Sequence, residues 1–369
     1  WSMPLQFNLN GQQVEVSSGN PRRSLLDVLR SECGITSAKD GCAPQGQSGC
    51  CTVLVDGKAR VSCVTPVRRV AGRDVTTVEG LDPDVAAAWA DRLAAHGGSQ
   101  CGFCTPGIVI RLEERRERLA AAALGDGSRQ RDASKDIERA LAAHLCRCTG
   151  WQGICETAAE VFENPVGIEP RPASPHDSAA GARRAALEGG HPQRVDRAAV
   201  LGSGGFAADT ALEGALVAML SDDGEWVVGE THAEAREAAR RVQGRRTTLD
   251  AEPPLSLPDG DWDATLRTSW VEPAYLETDA SWCEPGGTPA EPLANAGAFG
   301  AKLDSPLPAV ARRLADQHGR SVLALWSRED AVRSGPKRPP VSGGMNADGS
   351  GVMDVAATGE SFAAVRDAI

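Results

Sequence analysis

Ten of the eleven cysteines in this 369-residue sequence precede residue 156, and eight of them gather into two groups. The first lies in KDGCAPQGQSGCCTVLVDGKARVSC, Lys39 to Cys63. The second pairs QCGFC at 100–104 with LCRC at 145–149. Any fold for this half of the chain must satisfy both groups. Eleven cysteines are too few at this length for a disulfide scaffold. In a reducing compartment, clustered thiols point to metal binding or redox chemistry instead.

The surrounding sequence supplies the frame. PLQFNLNGQQVEVS alternates apolar and polar residues about Asn10-Gly11, which suits a tight hairpin. RSLLDVLRSEC spaces Leu25, Leu26, Val28 and Leu29 along one helical face. CTVLVDGKARVSC predicts two short strands around Asp56-Gly57, and DVTTVEG predicts another. Residues 1–80 are therefore expected to form a small sheet crossed by one helix. From residue 81 the period changes to that of helices. PDVAAAWADRLAAH, PGIVIRLEERRERLAAAAL, SKDIERALAAHL and GICETAAEVFE predict a four-helix unit over 81–163, with Pro106 near a helix start where its missing N–H is harmless. Residues 164–192, rich in Pro, Ala, Gly and Arg without periodicity, are expected to be a linker. Residues 193–369 mix strand-like pieces (GALVAML, EWVVGE, SVLALWS) with helical ones (HAEAREAARRVQ, PAVARRLADQHG), as an α/β region does. The fold class expected overall is α+β.

Fifty acidic residues against thirty-nine basic ones give a net charge of −11, which opposes binding to nucleic acid or anionic membranes. No apolar run approaches the roughly 20 residues of a membrane span, and no charged segment followed by an apolar secretory core opens the chain. The expectation is a soluble cytoplasmic chain whose partners are proteins and small molecules.

Plant-type 2Fe-2S loops follow C-x4-C-x2-C with a distant fourth cysteine. Cys42, Cys51 and Cys63 fit the outer positions, with a five-residue first gap if Ser48 stands second. Gly41, Gly46 and Gly49 allow the backbone turns such a loop needs and let N–H groups approach the sulfurs. A zinc loop or buried structural thiols are the competing readings. Cys101, Cys104, Cys146 and Cys148 form a C-x2-C and a C-x-C at predicted helix ends, where four thiolates can meet on a second 2Fe-2S unit; zinc competes, although C-x-C is tight for a zinc knuckle. Cys155 and Cys283 are expected to be core thiols.

Further along, Gly202-x-Gly204-x-x-Ala207 with Glu230 formally matches a dinucleotide fingerprint. The apolar run before it is only about four residues long, and Gly214 interrupts what should be a helix. An ordinary glycine turn is the expectation.

In order and spacing, the first cysteine loop, QCGFCTPG and LCRCTGWQGI, on a small sheet followed by four helices, resemble the iron–sulfur subunit of the molybdenum hydroxylases, the xanthine dehydrogenase, aldehyde oxidoreductase and CO dehydrogenase family. The resemblance covers residues 4–163. It implies a β-grasp ferredoxin-like domain whose cluster is held by Cys42, position 48, Cys51 and Cys63. It also implies a helical domain whose cluster is held by Cys101, Cys104, Cys146 and Cys148, with Gln100 and Cys148 close to a molybdopterin. A weaker resemblance joins LGSGGFAADTALEGALVA, VEPAYLETDASW and NAGAFGAKLDSPL to the molybdopterin-binding large subunit. By that likeness Gly297, Ala298, Phe299 and Gly300 face the cofactor. The segment between the last two motifs is much shorter here, and the large subunit's catalytic glutamate motif and most of its cofactor-binding length are missing, so no catalytic residue is assigned.

Ser48 departs from the family pattern. Three readings stand at that position: serine, or a changed cysteine, as the ligand; Cys50 recruited from two residues away; or a lost cluster. What the resemblance implies as a whole is an electron-transfer subunit joined to part of a molybdopterin-binding subunit. It would carry two 2Fe-2S clusters, share molybdopterin with a large-subunit partner, and work with an FAD-bearing partner in a hetero-oligomer. The alternative is a stand-alone iron–sulfur carrier or redox-responsive scaffold with a degenerate C-terminal interaction domain.

Overall fold

The computed structural model describes residues 5–16, 23–42, 45–124, 133–169, 178–188, 190–240, 253–271 and 273–356. Ala43 and Pro44 of the first cysteine loop, and residues 170–177 and 189 of the expected linker, lie outside that set.

Five strands, β1 (Leu5–Leu9), β2 (Gln12–Val16), β3 (Thr52–Val55), β4 (Lys58–Val61) and β5 (Asp74–Thr76), form one mixed sheet in the order β2-β1-β5-β3-β4. β1 and β5 run parallel; the other pairs are antiparallel. Helix α1 (Leu25–Ser31) starts at Ser24, whose side chain accepts from the Asp27 N–H, and its Leu25, Leu26, Val28 and Leu29 are all buried. These side chains join Phe7, Val53, Val67 and Val75 in the first core, which also takes in Cys42, Cys51 and Cys63.

Four helices follow: α2 (Pro83–Ala95), α3 (Thr105–Leu124), α4 (Ala133–Leu141) and α5 (Gln152–Glu163). Their common core is built on Trp89, Leu93, Ile108, Leu112, Ile154 and Val161. The carboxylate of Glu113, 2% exposed at its edge, is satisfied: it accepts from Trp89 Nε1 at 2.7 Å and pairs with Arg116. Cys155 packs on this core as a half-buried thiol.

The expected linker contains a helix, α6 (Ser178–Leu187), which the sequence did not announce. Its alanines favour helix but offer no apolar stripe, so it has propensity without periodicity. The glycine-turn region also differs from a dinucleotide fold: the run before Gly202 is a short helix, α7 (Arg197–Val200), not a strand, and no βα turn forms there. Further on, β6 (Leu216–Leu220), β7 (Trp226–Gly229), β9 (Ala280–Cys283) and β10 (Val322–Leu325) form a four-stranded sheet in the order β7-β6-β10-β9, flanked by α8 (His232–Ala238) and α9 (Leu307–His318). Cys283 is buried in its core. Helix α10 (Arg328–Ser334) follows β10, and β8 (Ala264–Arg267), β11 (Val341–Met345) and β12 (Gly351–Val355) make a separate antiparallel sheet. Among the described residues no helix is long and apolar enough to cross a membrane.

The C-terminal third is seated on the first 163 residues by buried polar contacts. Lys39, 1% exposed, donates to the Gly202 carbonyl at 2.8 Å, pairs with Asp209 and lies 5.0 Å from the Phe206 ring centre. Burial lowers its pKa and the Asp209 carboxylate opposes that shift. Arg30 reaches Asp209 at 2.7 Å, Arg236 reaches Asp40 at 3.2 Å, and Arg328 donates to the Gly41 carbonyl at 2.9 Å. Three consecutive residues that open the first cysteine loop are thus gripped from the far end of the chain.

Candidate metal centres

The first site is a loop between α1 and β3, closed by Cys63 in the turn after β4. Cys42, Cys51 and Cys63 are all buried. The Cys63 N–H points at Cys51 Sγ at 3.4 Å and the Gln47 N–H at Cys42 Sγ at 3.5 Å, as backbone donors do around a sulfur-held charge. The thiols also hydrogen-bond one another: Cys63 bonds both Cys42 and Cys51. The Cys63 bond, assisted by the Gln47 N–H and the Ser48 hydroxyl, lowers the Cys42 pKa to about 5 against the opposing effect of burial, and Cys63 is pushed up in return.

Ser48 belongs to this group. It is 1% exposed and its hydroxyl hydrogen-bonds Cys42. Cys50, equally buried, is placed differently. Its thiol donates to the Ser48 carbonyl at 3.8 Å and also hydrogen-bonds the Ser48 hydroxyl, while its side chain packs in the helical core with Phe103 and Cys104 rather than in the core that holds Cys42, Cys51 and Cys63. Cys50 and Cys51 lie in the turn closed by the Thr52 N–H on the Gly49 carbonyl at 3.1 Å, and their side chains leave it toward different cores. Burial raises the Cys50 pKa well above the ordinary thiol value. The Cys50 thiol therefore stands between the two sites, a position the spacing of cysteines does not reveal.

The second site is made by the loop before α3 and the turn between α4 and α5. Cys148 Sγ lies 3.5 Å from Cys101 Sγ, and Cys104 hydrogen-bonds Cys146. In each pair one thiol is acidified and its partner pushed up. The bond with Cys104 brings Cys146 to about 6 and that with Cys101 lowers Cys148, while Cys104 and Cys101 rise. Cys101, Cys146 and Cys148 are half-buried; Cys104 is buried. Among the described residues no three His, Cys, Asp or Glu side chains are arranged to hold one metal ion. A binuclear iron–sulfur unit takes two thiolates at each iron, a demand that two thiol pairs can meet.

The residues expected at a pterin border the second site in different settings. Gln100 is exposed beside the second site. The Gly297–Gly300 turn approaches it from the C-terminal third: Gly297 rests on the Cys101 and Cys148 thiols, Ala298 is buried, Phe299 is 57% exposed, and Gly300 is exposed. Arg147, between the two cysteines of the C-x-C, lies 4.9 Å over the Phe299 ring and donates to the Pro273 carbonyl at 2.7 Å. Sequence reasoning missed Asn295, whose side chain donates to the Cys101 carbonyl at 2.6 Å; no local pattern marks a contact across that separation.

The family described as a 2Fe-2S binding domain matches residues 77–159. The chain is 36% identical over 156 residues to a probable xanthine dehydrogenase subunit of Bacillus subtilis (strain 168), an alignment covering 42% of this chain and 83% of that protein. It is 38% identical over 178 residues to the xanthine dehydrogenase of Emericella nidulans, covering 45% of this chain but 12% of that protein. Against the aldehyde oxidoreductase of Megalodesulfovibrio gigas it is 36% identical over 150 residues, covering 40% of this chain and 15% of that one. The solved aldehyde oxidoreductase of Desulfovibrio gigas shares the fold at a TM-score of 0.63 and 19% identity, over 94% of this chain and 52% of that chain.

Proposed function

Because the chain belongs to the xanthine dehydrogenase and aldehyde oxidoreductase family of molybdenum-dependent oxidoreductases, we propose that it is the electron-transfer subunit of such an enzyme. In this reading, residues 1–80 are a plant-type ferredoxin-like domain and 81–163 a helical cluster-binding domain. Residues 164–192 connect these to 193–369, which correspond to part of a molybdopterin-binding subunit. Electrons pass from a molybdopterin site, held by or shared with a large-subunit partner, to an FAD-bearing partner or another acceptor. When bound, two 2Fe-2S clusters supply one-electron carriage. The protein's part is to hold, orient and shield them.

The single observation that carries the proposal is the pairing of four thiols, Cys101 with Cys148 and Cys104 with Cys146, next to a second group of three thiols and Ser48. Cys42, Ser48, Cys51 and Cys63 are the proposed ligands of the loop cluster, with Ser48 in place of the family's cysteine. Cys50 and Phe103 fill the space between the sites and exclude water from it. Gln100, Cys148 and the Gly297–Gly300 turn form the face offered to the pterin.

The C-terminal third favours this reading over a stand-alone carrier with a degenerate appendage. An appendage would not need Lys39 buried against Asp209, Arg328 on the Gly41 carbonyl and Gly297 on two thiols. The fold likeness to aldehyde oxidoreductase also runs through this third, since it covers 94% of the chain. Affinity purification of the tagged chain from its own cells tests the proposal. A molybdenum-containing complex with a second large polypeptide is expected, and a chain that purifies alone with iron would favour the carrier.

A further inference from the structure

We infer that Asn295 is a positioning residue for the Cys101–Cys148 end of the helical site, holding the Cys101 peptide and setting the electrostatic surroundings of its sulfur. The inference rests on the cluster reading above. Asn295 is 2% exposed, so its amide cannot turn to water. Both ends are engaged: Nδ2 donates to the Cys101 carbonyl at 2.6 Å, and Oδ1 accepts the Arg194 N–H at 2.5 Å. Its backbone φ of 52° is one that asparagine adopts more readily than most residues with a side chain.

The main chain that follows touches the thiols themselves. A β-carbon on Gly297 would lie 2.6 Å from Cys148 Sγ, 3.0 Å from Cys101 Sγ and 3.2 Å from Cys101 Cβ, so only glycine permits this approach. Cys101 is held from the other side as well. Its neighbour Gly102, at φ +83°, has no room for a β-carbon, which would fall 2.6 Å from the Ala199 carbonyl oxygen. Ala199 belongs to α7, which is tied down by Arg197 to Asp91 of α2 at 2.7 and 2.8 Å. The Cys101–Gly102 step is therefore clamped between two pieces of the C-terminal third, and Asn295 is the polar contact that fixes its register.

Position and potential are linked here. Hydrogen bonds and charges around cluster sulfurs set how readily the cluster accepts an electron. An amide N–H directed at the Cys101 peptide places the positive end of a dipole beside that ligand, which favours the reduced cluster. Asn295→Asp keeps the shape and the Arg194 bond but replaces the donor with a carboxylate oxygen facing a carbonyl.

The experiment is an EPR-monitored redox titration of the full chain, purified anaerobically with its natural partners, together with iron analysis. For N295D the reduced-to-oxidised ratio of one cluster at a fixed potential is expected to fall about tenfold, equivalent to 59 mV for one electron, with the other cluster unmoved. Iron lost from one site alone is the same result in stronger form. If N295D loses all its iron, N295S, smaller and uncharged, is titrated instead, and a smaller shift in the same direction and the same cluster is expected. Titrations of N295D and N295S that match wild type, or shifts shared equally by both clusters, would overturn the role of Asn295 and leave the electron-transfer reading intact. Wild-type protein without iron would overturn both.

Discussion

The two cysteine sites solve the same problem by different means. The loop site is local: its thiols come from one loop and one neighbouring turn, and all three are buried with Ser48 inside the first core. The helical site is assembled from two helix ends, leaves three of its four thiols half-buried, and is closed by residues from the opposite end of the chain. On the proposed reading, Ser48 stands in the site whose surroundings are buried and supply N–H donors, and the more open site keeps four thiols.

This contrast ranks the expected effects of substitution. The largest belongs to the helical site. Cys104→Ala removes the buried member of a thiol pair and should abolish that cluster, so that iron per chain falls by about half. Loss of all iron in that variant would mean that the two sites do not form independently. Next is the join between the halves. Lys39→Met leaves Asp209 with Arg30 as its remaining ion-pair partner among the described residues, so the carboxylate is not stranded and the loss should be about 1–3 kcal/mol. Chemical denaturation should show that loss, with earlier exposure of the second site's thiols. An unchanged midpoint would show that the C-terminal third is not seated through Lys39.

Ser48 gives a smaller and more selective effect. Ser48→Cys restores a fourth thiolate, a softer and better iron ligand than an alkoxide, and should slow iron loss from the loop site while the other signal stays as it was. Cys50→Ala should do little to either cluster, because that thiol packs in the helical core and meets the loop site only through its bonds to Ser48. If Cys50→Ala abolishes one cluster and Ser48→Ala is silent, the loop has recruited its neighbour and the assignment fails.

The mildest test compares thiols in metal-free protein. Cys146 is acidified to about 6 by its bond with Cys104, whereas burial raises Cys155 above the ordinary thiol value, and both are half-buried. Alkylation of Cys146 should therefore rise with pH through about 6 and level off below neutrality, while Cys155 continues to speed up beyond pH 9. Equal pH profiles would contradict the thiol pairing.

Much of this was legible in the residues. The hairpins about Asn10-Gly11 and Asp56-Gly57, the Leu25–Leu29 face of α1 and the four helices follow from local periods and turn chemistry, which act within a few residues of chain. The thiols that the two cysteine patterns group together are neighbours in space as well. What stayed hidden has no local signature. Helix α6 lacks an apolar stripe, the sheet of β8, β11 and β12 uses glycine-rich strands such as VSGGM, and AAV before Gly202 is equally compatible with strand and helix. The contacts of Lys39, Asn295 and Arg328 join residues that lie far apart in sequence, and only the fold brings them together.

The central claim is that both groups of cysteines hold clusters, the serine-containing loop included. Iron and acid-labile sulfide measured on anaerobically purified chain test it most directly. About four of each per chain are expected, two per cluster, with two distinguishable signals after reduction. About two of each would show the Ser48 site empty, and zinc in place of iron would contradict the electron-transfer account altogether.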